Sequence, residues 1–95
     1  MKVKWSAKAT RDLAAACDYV AIDNEAAAGQ LLKVIREVTN RTLLYPRVGR
    51  EGRVKNTREL VIPGTPYIVA YRVIKDGSVQ VLSVLHARRR WPEAF

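Results

Sequence analysis

Arginines clustered in the second half of the sequence are the residues whose types and spacing best suit chemistry. One cluster is Arg47, Arg50, Arg53, Lys55 and Arg58, and the other is Arg88, Arg89 and Arg90, followed by Trp91. Long basic side chains spread along a loop and a strand can follow a phosphate backbone. Guanidinium groups beside an aromatic ring also suit phosphate contact and base stacking. The alternative for the first cluster is a solvated strand edge, where basic side chains discourage aggregation.

His86 is the only histidine, and it precedes the second cluster by two residues. An imidazole at the end of a strand, beside arginines, suits a general acid or base in phosphodiester cleavage, with an arginine stabilising the developing charge. A lone histidine also serves as a plain hydrogen-bonding group at a strand end. The residues alone leave both interpretations open.

Arg72 and Glu59 are the charged residues expected within the sheet. Alternation along the strand containing Arg72 places it on one face with Ile68 and Ala70, so we predict a buried, paired arginine or part of a basic concavity. Glu59 is the partner expected for Arg72 across the strand pair. A general-base role for Glu59 is the alternative, but no second carboxylate follows nearby to complete an acid and base pair.

Cys17 falls on the apolar stripe of the first predicted helix, which indicates a small core residue rather than a nucleophile. Trp5, Tyr19 and Tyr45 are predicted to lie in the core or at its edge. The sequence contains neither a glycine-rich phosphate loop before a helix nor a clustered set of metal ligands. We therefore expect no cofactor and no metal.

The elements that must position these residues begin with a short strand over residues 2–5 and helices over 7–22 and 25–44. Two helices separated by only two or three residues should form an antiparallel hairpin. Apolar residues at three- and four-residue steps define the inward faces. These residues are Ala9, Leu13, Ala16, Cys17 and Val20 in the first helix, and Ala28, Leu31, Leu32, Ile35 and Val38 in the second.

Three strands are predicted after Pro46 and two glycines end the second helix, over residues 58–62, 67–74 and 78–85. Turn residues separate the strands, including the hairpin signal Asp76-Gly77. The alternating pattern predicts an antiparallel meander with one face against the helices. The expected fold is a single α+β domain over residues 1–95, in the order β-α-α-β-β-β.

The composition restricts the possible partners and compartment. The chain carries 17 Lys+Arg and 9 Asp+Glu, a formal net charge of +8, and 10 of the basic but only 4 of the acidic residues follow residue 46. Such an excess predicts an acidic partner, namely a nucleic acid, a nucleic-acid enzyme or a protein that masks the charge. The alternative is that the charge only aids solubility. A single cysteine excludes an internal disulfide framework, and the longest uncharged run, 61–71, is too short to span a membrane. The cytoplasm is the expected location.

Four segments of the chain resemble the RelE/ParE superfamily. They are 46–50 (PRVGR), 57–60 (TREL), 66–73 (PYIVAYRV) and 84–92 (VLHARRRWP), and the resemblance covers essentially the whole chain. It implies the toxin of a bacterial type II toxin–antitoxin pair, encoded beside its antitoxin. The C-terminal segment of the antitoxin would wrap the toxin in a hetero-oligomer, gaining charge neutralisation and apolar burial as it folds.

The superfamily contains two activities, because RelE-like members cleave mRNA in the ribosomal A site and ParE-like members inhibit DNA gyrase. His86 matches the histidine of several ribonuclease members, and 88–90 matches their basic segment after the last strand. RelE itself has an arginine where this chain has Ile68, and residues 91–95 of this chain offer no tyrosine. Segments 71–73 and 84–86, with the following arginine, resemble ParE members at least as well, so the histidine is shared by both branches. The resemblance therefore favours a gyrase inhibitor that is not an enzyme, with a ribosome-dependent mRNA endoribonuclease as the alternative.

The resemblance also assigns residues to each activity. In the ribonuclease alternative, Arg58, His86 and Arg88 would hold the scissile phosphate, with His86 exchanging protons with the reacting oxygens. The residues expected to bind the target or the antitoxin are Arg47, Arg50, Arg53, Arg72, Arg89, Arg90 and Trp91. A third hypothesis is a nucleic-acid-binding module without toxic activity, which predicts strongly salt-dependent affinity for naked nucleic acid.

Overall fold

The elements follow the predicted order in a computed structural model that describes residues 2–92 and 94–95. They are β1 (Val3–Trp5), α1 (Ala7–Ala21), α2 (Glu25–Thr42), a 3-10 turn (Pro46–Val48), β2 (Arg50–Glu51), β3 (Arg58–Val61), β4 (Tyr67–Val73) and β5 (Val79–His86). The predicted α+β class is confirmed, and the predicted helix and strand limits differ from the observed ones by two residues at most.

Both helices begin at a side-chain cap. The hydroxyl of Ser6 accepts a hydrogen bond from the Ala9 N–H, and the side chain of Asn24 accepts one from the Ala27 N–H, each at 3.0 Å. Each contact satisfies one of the backbone donors that the first turn of a helix leaves free. The caps therefore account for the helix starts that the sequence pattern predicts.

The strands form one sheet of five, in the order β1-β5-β4-β3-β2. β1 runs parallel to β5, and every other pair is antiparallel. The three-stranded meander is therefore extended at both edges. β2 has only two residues and so leaves no periodic signal in the sequence.

Helix α1 covers the part of β5 that β1 does not reach. β1 pairs with β5 only at Val79–Val81. Beyond that point, the Asp12 carboxylate accepts hydrogen bonds from the Val84 N–H at 3.2 Å and from the Ser83 hydroxyl. The helix thus supplies an acceptor for an edge strand that would otherwise expose an unpaired backbone donor.

The buried core joins the helices to one face of the sheet. Its largest fully buried hydrophobic members are Tyr71, Leu13, Ile35, Leu43, Ile62, Val69, Val79 and Val81. Trp5 and Cys17 pack against this core as predicted. Burial raises the pKa of the Cys17 thiol, with a smaller contribution from the charge of Asp18, which disfavours the reactive thiolate.

Three predicted core positions are wrong. Tyr19 is 63% exposed, Tyr45 is 76% exposed and Leu32 is 42% exposed. The partly buried residues of α2 include Leu31 and Val34, so the covered face of the helix is turned toward them and leaves Leu32 at its border.

No helix within residues 2–92 and 94–95 combines the length and the apolar character that crossing a membrane requires.

Candidate functional site

Glu59 organises the loop that carries the first arginine cluster. Its side chain is nearly inaccessible, and one carboxylate oxygen accepts hydrogen bonds from Nε and Nη2 of Arg50 at 3.0 and 2.9 Å. The other accepts from the backbone N–H and Nε of Arg53 at 2.9 and 3.2 Å. Burial by itself raises the pKa of Glu59, but the hydrogen bonds from Arg53 and Arg50 outweigh it and hold the pKa below its usual value. Glu59 is therefore a charged anchor rather than a general base.

The predicted pairing of Glu59 with Arg72 is wrong. Arg72 is exposed, and its Nε donates to Oε1 of Gln80 at 2.8 Å, on the neighbouring strand β5. In the sheet register Glu59 lies opposite Ala70 on one side and Arg50 on the other. The pairing with β2 therefore delivers Arg50 to the carboxylate, and β2 is the strand that the sequence did not reveal.

Tyr71 fixes the start of the same loop from inside the core. Its hydroxyl accepts a hydrogen bond from the Gly49 N–H at 2.8 Å and donates to the Pro46 carbonyl at 2.6 Å. Burial raises the pKa of the Tyr71 phenol, which keeps the hydroxyl protonated for this donation. A Cβ atom at Gly49 would lie 2.3 Å from the Tyr71 oxygen, so only glycine permits this approach.

A groove of about 680 Å³ opens beside this loop, and we call it the basic groove. Its lining consists of Arg47, Glu51, Gly52, Lys55, Asn56, Thr57, Arg58, Arg72 and Val73. Arg58 is tethered there, because its Nη1 donates to the Gly49 carbonyl at 2.7 Å. Asn56 has a positive φ of 62°, a left-handed conformation that asparagine tolerates better than most residues.

His86 lies at the other end of β4, half-buried at the end of β5. Its ring meets the Tyr67 ring edge-on at 5.4 Å between centroids. Nδ1 accepts a hydrogen bond from the Arg88 N–H at 3.2 Å, so the proton of the neutral ring is on Nε2. The Trp91 indole N–H donates to the His86 carbonyl at 3.2 Å. These contacts fit the hydrogen-bonding interpretation of a histidine at a strand end.

A second depression lies between the helix hairpin and the β3–β4 turn, and we call it the apolar groove. Its volume is about 480 Å³, and its lining consists of Tyr19, Val20, Ala27, Leu31, Gly64, Thr65, Pro66, Tyr67, His86 and Arg89. The Arg89 guanidinium lies 5.5 Å from the centre of the exposed Tyr19 ring. Among the described residues that line the groove, aliphatic and aromatic side chains are combined with the cation of Arg89.

The two arginine clusters meet through Trp91. The Arg53 guanidinium stacks on the Trp91 ring, 3.6 Å from its centre, and the same guanidinium binds Glu59. Arg90 is exposed. The Trp91 ring therefore links the tail after β5 to the loop before β3.

The residues assigned to ribonuclease chemistry are only partly brought together. Arg88 contacts His86 through its backbone N–H. In the sheet register, however, Arg58 of β3 lies opposite Tyr71 of β4. His86 of β5 lies opposite Tyr67, four residues away along β4. That offset corresponds to about 13 Å along β4, and the two residues also lie on opposite flanking strands. Arg58 and His86 therefore do not converge on a single phosphate.

Sequence reasoning missed Tyr71 and Gly49 as the pair that positions the loop. A tyrosine inside an apolar strand is a signal for a buried hydroxyl in need of a partner. Its partners, however, are backbone groups more than 20 residues away. No local pattern indicates where those groups lie.

This small α+β domain, with a basic loop beside its sheet, matches over residues 3–91 the family described as the ParE toxin of the type II toxin–antitoxin system parDE. The chain belongs to this family. It is 37% identical over 94 residues to the putative toxin Y4kP of Sinorhizobium fredii, covering 99% of this chain and 96% of that protein. It is 30% identical over 88 residues to toxin RelE2 of Caulobacter vibrioides, covering 93% of this chain and 97% of that protein.

Solved structures share the fold. A chain of the chromosomal ParDE system from P. aeruginosa superposes with a TM-score of 0.78 at 26% identity, over 93% of this chain and 97% of that one. A chain of the RelBE2 toxin–antitoxin complex from Mycobacterium tuberculosis superposes with a TM-score of 0.63 at 24% identity, over 90% of this chain and 88% of that one. The second likeness concerns the fold alone.

Proposed function

We propose that this toxin arrests growth by binding and inhibiting DNA gyrase, and that a cognate antitoxin neutralises it. The observation that carries the choice of target is the separation of Arg58 from His86, about 13 Å along β4. Phosphodiester cleavage requires the proton-transferring group and the charge-stabilising arginine within hydrogen-bonding reach of one phosphate. The geometry supports a binding protein better than a nuclease.

The contact surface proposed for gyrase consists of the tail arginines, Trp91 and the adjoining apolar groove. Arg89 and Arg90 are exposed, and Arg89 lies beside the exposed ring of Tyr19. Aromatic and arginine side chains are enriched among the residues that carry most of the energy of protein interfaces. The groove supplies the apolar part of this surface, and the arginines supply the charged rim.

The antitoxin is proposed to cover the same surface. The structural relative at 26% identity comes from a toxin–antitoxin system, the chromosomal ParDE system of P. aeruginosa. A segment with apolar side chains for the groove and carboxylates for Arg89 and Arg90 would bury apolar area and neutralise charge together. Occupation of this surface by the antitoxin would then exclude gyrase.

Supercoiling by purified gyrase tests the target. Arg89→Gln/Arg90→Gln is expected to raise the toxin concentration for half-inhibition roughly tenfold, equivalent to about 1.4 kcal/mol of binding free energy. Arg11→Gln/Lys33→Gln removes the same charge from exposed positions of the helices and should leave inhibition unchanged. Full supercoiling activity at saturating toxin would refute the gyrase proposal.

The ribonuclease alternative depends on Arg88 following His86 closely in the chain, near enough for its backbone N–H to donate to His86 Nδ1. It predicts mRNA cleavage in a translating extract that disappears in His86→Ala and Arg88→Ala. Cleavage of this kind, with supercoiling unaffected, would replace the gyrase proposal. Expression without the antitoxin should arrest growth for either target, and unaffected growth would instead support a non-toxic nucleic-acid-binding module.

A further inference from the structure

The cations of the basic groove are positioned differently from those bound to Glu59. Arg50 and Arg53 both form salt bridges with that buried carboxylate, which neutralises part of their charge. Arg58 and Arg72 each use one donor on an uncharged acceptor, the Gly49 carbonyl and Gln80 Oε1. Since a guanidinium has five N–H donors, each keeps several for a ligand. These two arginines are therefore held in place without being neutralised.

The charge in the groove is largely uncompensated. Four cationic side chains line it, those of Arg47, Lys55, Arg58 and Arg72, and Glu51 is the single carboxylate among the lining residues that the structure describes. Holding like charges together is unfavourable unless an anion is recruited. This arrangement favours a ligand with several negative charges in a row.

The lining also distinguishes between classes of polyanion. Among the described residues that line it, Val73 is the one large apolar side chain and none is aromatic. The adjoining depression shares Lys55, Asn56, Thr57 and Arg72 with it and adds one ring, that of Phe95, whereas single strands stack successive bases on several rings. A peptide needs apolar pockets for its anchoring side chains, and those are found in the apolar groove instead. Single-stranded nucleic acids bind through bases stacked on aromatic rings. Contacts to a duplex backbone need only cations and polar donors, which is what the basic groove supplies.

We propose that the basic groove binds the phosphodiester backbone of duplex DNA, without reading its sequence. Arg47, Lys55, Arg58 and Arg72 each contact a phosphate, and Asn56 and Thr57 add polar groups to the lining. The proposed DNA binding requires only the toxin and does not depend on gyrase. Its use against DNA held by gyrase rests on the proposed function above.

Binding to a labelled duplex of about 20 base pairs, measured by fluorescence anisotropy without gyrase, tests the proposal. Each phosphate contact contributes about 0.9 to the slope of log affinity against log salt concentration, so four contacts predict a roughly 100-fold loss of affinity between about 50 and about 200 mM salt. In Arg47→Gln/Lys55→Gln two contacts remain, and the loss falls to roughly tenfold. Both residues are exposed, so the variant should fold.

Arg11→Gln/Lys33→Gln is the matched control, because it removes the same net charge from exposed helix positions outside the groove. It should keep the salt dependence of the unaltered protein. An equal reduction in the control would show that net charge, not the groove, binds DNA, and would overturn the proposal. Tighter binding to a single strand of equal length, or equally effective displacement of the duplex by polyglutamate, would overturn it too. Supercoiling inhibition is measured in a separate assay. A failure of the DNA-binding proposal therefore does not decide the gyrase proposal.

Discussion

Replacing Glu59 with glutamine is expected to cost more stability than removing either arginine bound to it. Glu59 is 3% exposed, and its two oxygens accept four hydrogen bonds from Arg50 and Arg53. Glutamine keeps one oxygen and turns an NH₂ group toward the donors of the other site. Two hydrogen bonds are therefore lost, and N–H groups face each other in their place.

The loss of stability depends on whether the groups that lose their hydrogen-bond partner stay buried or can reach water. Hydrogen bonds to charged groups contribute about 1.5–3 kcal/mol each, but the side chains of Arg50 and Arg53 are 54% and 47% exposed and can return to water. We expect Glu59→Gln to lower the free energy of unfolding by about 2–3 kcal/mol. Arg50→Gln should cost about 1 kcal/mol or less, because Arg53 still pairs with the carboxylate.

Urea unfolding at neutral pH measures both variants. A loss of about 2 kcal/mol shifts the midpoint of a small domain by roughly 1 M urea and lowers Tm by about 8–16 °C. Arg53→Gln serves as a second comparison, since it retains the backbone N–H that donates to Glu59. If Arg50→Gln destabilises the protein as much as Glu59→Gln, the carboxylate is not the anchor of this loop and the reasoning fails.

The pH dependence provides an independent check. The pKa of Glu59 is lowered on folding, so its contribution to stability is complete above the usual glutamate value of 4.5 and is lost as the pH falls through the lower folded value. The difference in unfolding free energy between the unaltered protein and Glu59→Gln should therefore shrink on going from neutral to acidic pH. A difference that stays constant down to about pH 3 would contradict the assignment.

Other substitutions test the remaining contacts of the loop and the tail. Tyr71→Phe leaves the Gly49 N–H and the Pro46 carbonyl without a partner and should cost about 2 kcal/mol in urea unfolding; a cost below about 0.5 kcal/mol would mean that water replaces the hydroxyl. Gly49→Ala should destabilise strongly because its Cβ would lie 2.3 Å from the Tyr71 oxygen, whereas Gly29→Ala, with nothing within 4 Å, should stabilise α2 by about 1 kcal/mol. A higher urea midpoint for Gly49→Ala than for Gly29→Ala would refute this expectation. Trp91→Ala removes the ring under a guanidinium that Glu59 still holds, so a loss of only about 0.5–1 kcal/mol is expected, and a larger loss would show that the tail supports the fold.

Local patterns predicted the helices and most of the strands. The caps at Ser6 and Asn24 and the stripe through Leu13 and Ile35 act within a few residues, so the sequence displays them directly. The stripe does not show how much of each helix a neighbour will cover. That is why Leu32, which lies on the predicted inward face, is exposed.

The candidate site was harder to predict, because its residues are joined by contacts across the sheet. The sequence showed both arginine clusters and His86, and it correctly indicated a basic loop next to the strands. It did not show that Trp91 stacks on Arg53, since their contact depends on the path of the tail after β5. Side-chain types reveal which interactions are possible, whereas the backbone path selects among them.

By itself, the sequence determined an α+β toxin fold with its positive charge concentrated after residue 46, because periodicity, caps, turns and charge counts are local properties. Only the tertiary structure decided that Glu59 binds Arg50 and Arg53 rather than Arg72, and that Arg58 and His86 lie beside positions of β4 that are four residues apart. Strand register decides both outcomes. Register depends on the whole core and on loop geometry, and it places charges within or beyond the few ångströms over which a hydrogen bond forms.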